Sequence, residues 1–218
     1  MKSRDTNDCK TAEKNMEKPE GRTALEPVGG PLSGFRNLVG KENGEWTAGP
    51  SVLAHGMIWM LIVALISVVV AFIRGEMEPG YTPKDINDAG ALMFFVLGSV
   101  ASVIAVVAKT QGSIIGEKQL GTAAWVLSKP ASRRAFVLAK LAVHFRWLLV
   151  VTLLLPAVVF YGLMTAISTQ PPPPLLFLGG FAILALGLLF YLALSLLLGT
   201  IFESRGSLAG SVFGFMVG

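Results

Sequence analysis

The sequence contains few of the residues from which catalytic, metal-binding or disulfide-stabilised sites are built. Among 218 residues there is one cysteine, Cys9, and there are two histidines, His55 and His144. A single cysteine excludes an intrachain disulfide framework, and the two histidines lack the spacing of a metal site. No Gly-x-x-x-x-Gly-Lys-Ser/Thr segment occurs, so the chain has no phosphate-cradling loop for ATP. We therefore expect no catalytic, cofactor-binding or metal-binding residues on this chain.

Charged residues are also scarce: they make up 15% of the chain, and apolar residues make up 53%. Ordinary soluble proteins have about 25% charged residues. Uncharged apolar stretches occur at Val52–Ile73, Ala89–Ala108, Trp147–Ile167 and Leu175–Phe202. A helix of about 20 apolar residues crosses a bilayer core of about 30 Å. The sequence therefore predicts an all-α, polytopic membrane protein with spans at about 52–73, 89–110, 145–167 and 175–200.

A fifth apolar segment begins at Ser207 and reaches Gly218. From Leu208 onward a helix would rise about 16 Å, roughly half of a membrane. Either this is a half-helix or re-entrant segment, or the 218 residues are part of a longer protein. We expect the second, with the rest of span five and a sixth span to follow. Glycines recur there every four residues and predict a helix-packing stripe: Gly206, Gly210, Gly214 and Gly218.

The region before the first span divides into two parts. Residues 1–34 are polar, carry both charges and end in a Pro- and Gly-rich stretch, so we expect a disordered tail. Residues 35–218 are then one transmembrane domain. Apolar Phe35, Leu38 and Val39 beside charged residues predict a short interfacial segment, in which Gly40 and Gly44 argue against a long helix.

The distribution of lysine and arginine predicts the orientation in the membrane. The stretch from Lys109 to Arg146 holds seven of the 18 basic residues and one acid, Glu117. The loop from Arg74 to Asp88 holds two basic residues and four acids. Because basic loops stay in the cytoplasm, we expect the 111–144 loop and the N-terminus to be cytoplasmic. The basic residues then reflect orientation, and we expect no nucleic-acid partner.

The same loop has a readable local pattern. Helix can continue from Glu117 to Leu127, and Pro130 forces the residue before it out of helix. Ser132 is then a good N-cap for a second helix from Arg133 to Arg146. This predicts two helices joined by a tight turn below the membrane. An ordinary positively charged connector is the alternative.

The loop resembles the segment between spans two and three of ABC-2 type permeases, the membrane subunits of a class of ABC transporters. The pattern is Glu-x-x-x-Gly-Thr, then Leu-Ser-x-Pro-x-Ser-Arg, then Leu-x-Lys. The matching residues are Glu117, Gly121, Thr122, Leu127, Ser128, Pro130, Ser132, Arg133, Leu138 and Lys140. A weaker match is Asn37-Leu38-Val39-Gly40-Lys41-Glu42 with Trp46, which is similar to the amphipathic segment before span one; Gly44 departs from that pattern.

The resemblance implies a function that composition does not show. Such permeases usually have six spans, pair as two halves and bind separate ATP-hydrolysing subunits through this loop. The residues it assigns to coupling are Glu117, Gly121, Thr122, Ser128, Pro130, Ser132 and Arg133. We expect Glu117 to pair with Lys118, Arg133 or the ATPase, and Gly121 to allow close backbone approach.

The expected protein is thus a multi-pass permease subunit of the cell membrane, without an ATPase site of its own. It would use ATP hydrolysed by a partner to move a substrate, in the direction of export, as part of a permease dimer. The alternatives are a membrane scaffold or assembly protein and a transporter of another kind. The substrate is not specified by these patterns.

Overall fold

The computed structural model describes residues 30, 32–48, 51–77, 80, 82–121, 132–202 and 204–217. Within these residues the chain is all helical and no strand occurs, which confirms the predicted all-α class. The helices are α1 (Phe35–Thr47), α2 (Ser51–Met77), α3 (Pro83–Gln119), α4 (Arg133–Ser168), α5 (Pro174–Ile201) and α6 (Arg205–Val217). Of the predicted loop residues, Thr122, Ser128 and Pro130 lie outside the described part of the chain.

Among the described residues, four helices are long and apolar enough to cross a membrane. The qualifying segments are Ala54–Ile73, Pro83–Gln119, Arg133–Ser168 and Pro174–Ile201. The spans expected at about 89–110, 145–167 and 175–200 lie within the second, third and fourth of these segments, and the first segment covers the span expected at about 52–73 except for its first two residues. The chain is therefore a multi-pass helical membrane protein.

Helices α3 and α4 are longer than a membrane requires. At 1.5 Å per residue, the 37 residues of α3 extend about 55 Å, against a hydrocarbon core of about 30 Å. Much of the excess, residues 109–119 of α3 and 133–146 of α4, lies at the ends that the loop joins, which we call the loop end of the bundle. The expected separate helix at Arg133–Arg146 is instead continuous with the third span.

The prediction that helix continues unbroken from Glu117 is wrong at Leu120 and Gly121, and the rest of the predicted helix, residues 122–127, lies outside the described residues. Helix α3 ends at Gln119, and Gly121 has φ of +69°. The N–H of Gly121 donates to the Lys118 carbonyl at 3.1 Å, which closes the turn. A left-handed glycine directly after a helix is a common helix terminator because it adopts this conformation without steric cost.

The expectation that Gly40 and Gly44 prevent a long helix before span one is also wrong. Helix α1 runs unbroken through Gly40 and Gly44, both of which face open space. Its buried residues recur every four positions: Leu38, Glu42 and Trp46. Each glycine costs a helix about 1 kcal/mol relative to alanine. Packing of the buried face against α4 offsets that cost, so α1 is held by protein contacts and is not merely an interfacial segment.

Aromatic rings and glycines pack the spans closely. The Phe160 ring stacks on Phe94 at 4.8 Å and on Phe177 at 5.7 Å, joining α3, α4 and α5. A side chain at Gly180 of α5 would collide with the ring of Phe95 on α3. Small residues allow this approach, and dispersion contacts between helices supply much of the stability of a membrane bundle.

Two segments with π-helical turns interrupt the long helices, at Gln111–Ile115 in α3 and Leu149–Leu154 in α4. The second lies just before Pro156. Proline lacks an N–H and its ring clashes with the carbonyl four residues earlier, so the preceding turn widens. Pro156 therefore distorts α4, and the wider turn is the form that this distortion takes.

The fifth apolar segment forms α6. Leu208 and Val212 are fully buried against the bundle. A side chain at Gly206, Gly210 or Gly214 would meet no atom within 4 Å among the described residues. These three glycines therefore lie on the face of α6 opposite the face that packs, and Gly218 of the predicted stripe lies outside the described residues.

Candidate functional site

Three residues that the resemblance assigns to coupling lie at the ends of the loop between α3 and α4. Ser132 caps α4, since its hydroxyl accepts the N–H of Ala135 at 3.0 Å, which confirms the predicted N-cap. Arg133 in the first turn is exposed, as is Gly121. These residues lie on the outer surface of the loop end and are available to another protein.

Glu117 lies at the opposite end of the loop, and it contacts two lysines that the sequence analysis did not assign to it. Its Oε1 accepts a hydrogen bond from Lys41 Nζ at 2.5 Å and lies 3.3 Å from Lys140 Nζ. Only 12% of its side chain is exposed. Lys118, one of the expected partners, is directed elsewhere. Glu117 thus connects α3 to both α1 and α4.

A buried ion pair lies beside this connection. Lys140 Nζ donates to Glu42 Oε1 at 2.7 Å, and each side chain is 1% exposed. Burial raises the pKa of Glu42, while the charge and hydrogen bond of Lys140 oppose that rise. Two charges withdrawn from water require good geometry and mutual contact, because an isolated buried charge is strongly destabilising. Lys41, Glu42, Glu117 and Lys140 therefore form one unit, which we call the four-residue ion network.

Further along the same face, polar and aromatic groups extend the contact between α1 and α4. Asn43 Oδ1 accepts hydrogen bonds from Arg146 at 2.7 Å and from the Trp147 indole at 3.2 Å. The Trp46 and Trp147 rings stack with centroids 6.0 Å apart. These contacts align α1 with the first turns of α4 over most of its length.

The loop is also tied to α5 and to the segment before α1. Lys118 Nζ donates to the carbonyl of Thr200 at 2.6 Å, near the C-terminus of α5. A cation there satisfies carbonyls that have no partner within the helix. At the other end of the loop, the Ser132 N–H donates to the Ser33 carbonyl at 3.1 Å. These two polar contacts thus link the two loop ends to neighbouring elements.

Three carboxylates of this region come close enough to share a cation, but a lysine occupies that position. Oxygens of Glu42, Glu45 and Glu117 lie within 4.8 Å of one another. Lys41 Nζ lies 3.8, 3.4 and 2.5 Å from them, respectively. Its ammonium supplies the positive charge that a metal would otherwise provide, so the cluster fits an ion network better than a metal centre.

The sequence identified the loop but not the residues that hold it in place. Lys41, Glu42 and Lys140 belong to the patterns that carry the family resemblance, yet they were not assigned a role in the site. The available signal was Lys140 itself, a charge flanked by Ala139 and Leu141 in an otherwise apolar stretch. A buried charge requires a partner, but the sequence does not show that Glu42 is the residue that supplies it.

Comparison with known proteins gives one match. A family model described as ABC-2 family transporter protein matches residues 91–217, which is more than half of the chain. The match covers α3 from its third turn, the loop, α4, α5 and α6. No curated protein and no solved structure matches the chain.

Proposed function

The chain belongs to the ABC-2 family of transporter proteins, and we propose that it exports a substrate with energy from a separate ATP-hydrolysing subunit. The family and the four membrane-crossing helices support a permease subunit embedded in a bilayer. The absence of a phosphate-cradling motif from the sequence supports ATP hydrolysis on another chain. We further propose that two permease halves pair in the cell membrane, as the family implies.

We propose that the loop from Leu120 to Arg133 is the surface that docks on the ATPase. The excess of basic residues around it favours a cytoplasmic position, where ATP is hydrolysed. Gly121 and Arg133 are exposed at its two ends and available for contact. By the same argument, we propose that the N-terminus is also cytoplasmic.

The observation that carries this proposal is that neighbouring residues fasten the loop to three other helices. Glu117 contacts Lys41 of α1 and Lys140 of α4, and Lys118 contacts the end of α5. A displacement of the loop is therefore transmitted to several helices at once. A flexible connector would absorb such a displacement, whereas packed elements with fixed hydrogen bonds pass it on.

The docking surface is tested by co-purification with the ATPase. The affinity-tagged chain is isolated from membranes under gentle conditions, and the recovered ATP-hydrolysing activity is measured per mole of permease. Arg133→Glu reverses an exposed charge of the loop, and Lys84→Glu does the same near the start of α3, at the opposite end of the bundle. We expect recovery to fall with Arg133→Glu and to stay at the wild-type level with Lys84→Glu. Equal recovery with both variants and with wild type contradicts docking through this loop.

A further inference from the structure

A polar cavity of about 150 Å³ lies at the loop end, between α1, α3 and α4. Its walls are formed by Glu45, Trp46, Lys109, Ser113 and His144. It is adjacent to the four-residue ion network but contains none of its members. Its volume holds a few water molecules or one small polar group.

Lys109 is the one lysine among the residues that line the cavity. Its ammonium group forms no ion pair with a carboxylate among the described residues. Its Nζ lies 4.8 Å from the centre of the Trp46 ring, so the aromatic face supplies part of its stabilisation. The nearby acid, Glu45, lies 3.4 Å from Lys41 and is half exposed. The positive charge of Lys109 is thus left available to an anion.

Ser113 supplies a hydrogen-bond donor in the same cavity. The residue is 8% exposed, and its hydroxyl has no hydrogen-bond partner in the described part of the structure. A buried hydroxyl without a hydrogen-bond partner destabilises the protein. A bound acceptor would remove that destabilisation.

The depth of the cavity matches that of lipid headgroups. The uncharged stretch Ala89–Ala108 extends about 30 Å as a helix, so Lys109 is the first charge beyond one hydrocarbon thickness. Trp46 and Trp147 stack at the same level, and tryptophan is enriched where hydrocarbon meets headgroups. Basic pockets between spans at this level commonly bind lipid phosphates.

We propose that this cavity binds a phosphate group through the ammonium of Lys109 and the hydroxyl of Ser113. The group is that of a phospholipid headgroup or of free inorganic phosphate, which present the same oxygens. Lys109 provides the charge, Ser113 donates a hydrogen bond, and Trp46 forms an apolar wall. His144 donates its Nδ1–H to the Lys140 carbonyl at 2.9 Å, which fixes its ring as a further wall.

Titration calorimetry of the purified protein in dodecyl maltoside and phosphate-free buffer tests the proposal. One arm uses dihexanoyl phosphatidylglycerol, a second uses sodium phosphate, and a third uses dihexanoylglycerol, which lacks the phosphate. The variants are Lys109→Gln, Lys109→Arg, Ser113→Ala and Glu45→Gln. Arg134→Gln is the matched control, because it removes an exposed charge from the same end of the bundle without touching the cavity.

We expect Lys109→Gln to weaken binding about tenfold, the effect of losing one charge-assisted hydrogen bond. Ser113→Ala should weaken it by a smaller factor, Lys109→Arg should retain it, and Arg134→Gln should leave it unchanged. Glu45→Gln should strengthen it, because a nearby negative charge is removed. If phosphatidylglycerol binds and sodium phosphate does not, the cavity is a headgroup site. If sodium phosphate binds as tightly as phosphatidylglycerol, the cavity is a site for the free anion.

Other results overturn the proposal. The proposal fails if the wild-type protein binds neither the phospholipid nor sodium phosphate. It also fails if wild type and Lys109→Gln bind with equal affinity. An equal loss with Arg134→Gln would show diffuse charge attraction in place of a site. Equal binding of dihexanoylglycerol would show that the phosphate is not recognised. Retention of binding by Lys109→Arg establishes that position 109 tolerates substitution without misfolding.

Discussion

Lys140 and Glu42 form a buried ion pair, with Nζ 2.7 Å from Oε1, although they lie 98 positions apart in the sequence. The pair joins α1 to the beginning of α4 at the base of the loop. Around it, Lys41 and Glu117 complete a network that no local sequence pattern connects. This arrangement makes α1 part of the loop end of the bundle.

Removing one member of this pair should destabilise the protein more than removing both. Lys140→Met leaves the Glu42 carboxylate buried without its principal partner, at an expected cost of about 3–5 kcal/mol. Lys140→Met combined with Glu42→Met should recover part of that loss. Thermal unfolding of the purified protein in detergent measures both. A single variant that unfolds at the wild-type temperature would contradict the burial of this pair, and Lys84→Met is the exposed control.

Glu117→Gln should uncouple the loop from the spans without preventing insertion. The neutral side chain keeps its shape but loses its charge interactions with Lys41 and Lys140. We expect the ATP-hydrolysing activity of the purified complex to fall about fivefold or more, as typical coupling energies imply. Asp88→Asn, which removes an exposed acid near the opposite end of α3, is the matched control. Wild-type activity in Glu117→Gln would reduce the loop to an ordinary connector.

Gly121 should be needed for its backbone conformation. Its φ of +69° costs a residue other than glycine about 1–2 kcal/mol, although asparagine tolerates this region. Gly121→Leu should therefore lower the recovery of the ATPase with the permease, while Gly121→Asn should retain most of it. Both variants require membrane expression equal to wild type. The same loss in both would indicate that side-chain bulk, and not the turn, decides the effect.

Thr110 and Ser195 should contribute a small, measurable coupling between α3 and α5. The Thr110 hydroxyl donates to the Val106 carbonyl at 2.8 Å, so Ser195 donates to Thr110, with the oxygens 2.5 Å apart. A double-mutant cycle with Thr110→Val and Ser195→Ala should give about 0.6 kcal/mol, the average for such bonds in membranes. Unfolding in sodium dodecyl sulfate provides the free energies. A coupling near zero would contradict this bond.

Cys9 offers a direct test of orientation because it is the only cysteine. If the N-terminus is cytoplasmic, a membrane-impermeant maleimide should label Cys9 only after cells are permeabilised. A Cys9→Ser variant controls for labelling of other groups. Labelling in intact cells would reverse the orientation inferred from the basic residues.

Much of the fold could be predicted from the sequence because its signals are local. Uncharged runs of membrane length located the four spans, and Ser132 marked the start of α4 through a contact three residues away. The loop pattern identified the family independently of any packing. Helix termination was less predictable, since both Gly121 and the later Pro130 could end α3, and the earlier one does so.

By itself, then, the sequence determined the membrane class, the order of the spans and the position of the loop. Hydrophobic length, capping and turn chemistry act over a few residues and can be evaluated along the chain. Only the tertiary structure decided that α1 forms a complete helix despite two glycines, and that Glu117 pairs with Lys41 and Lys140. Those outcomes depend on which helix faces come together, because a buried charge selects its partner by distance in space and not by separation in sequence.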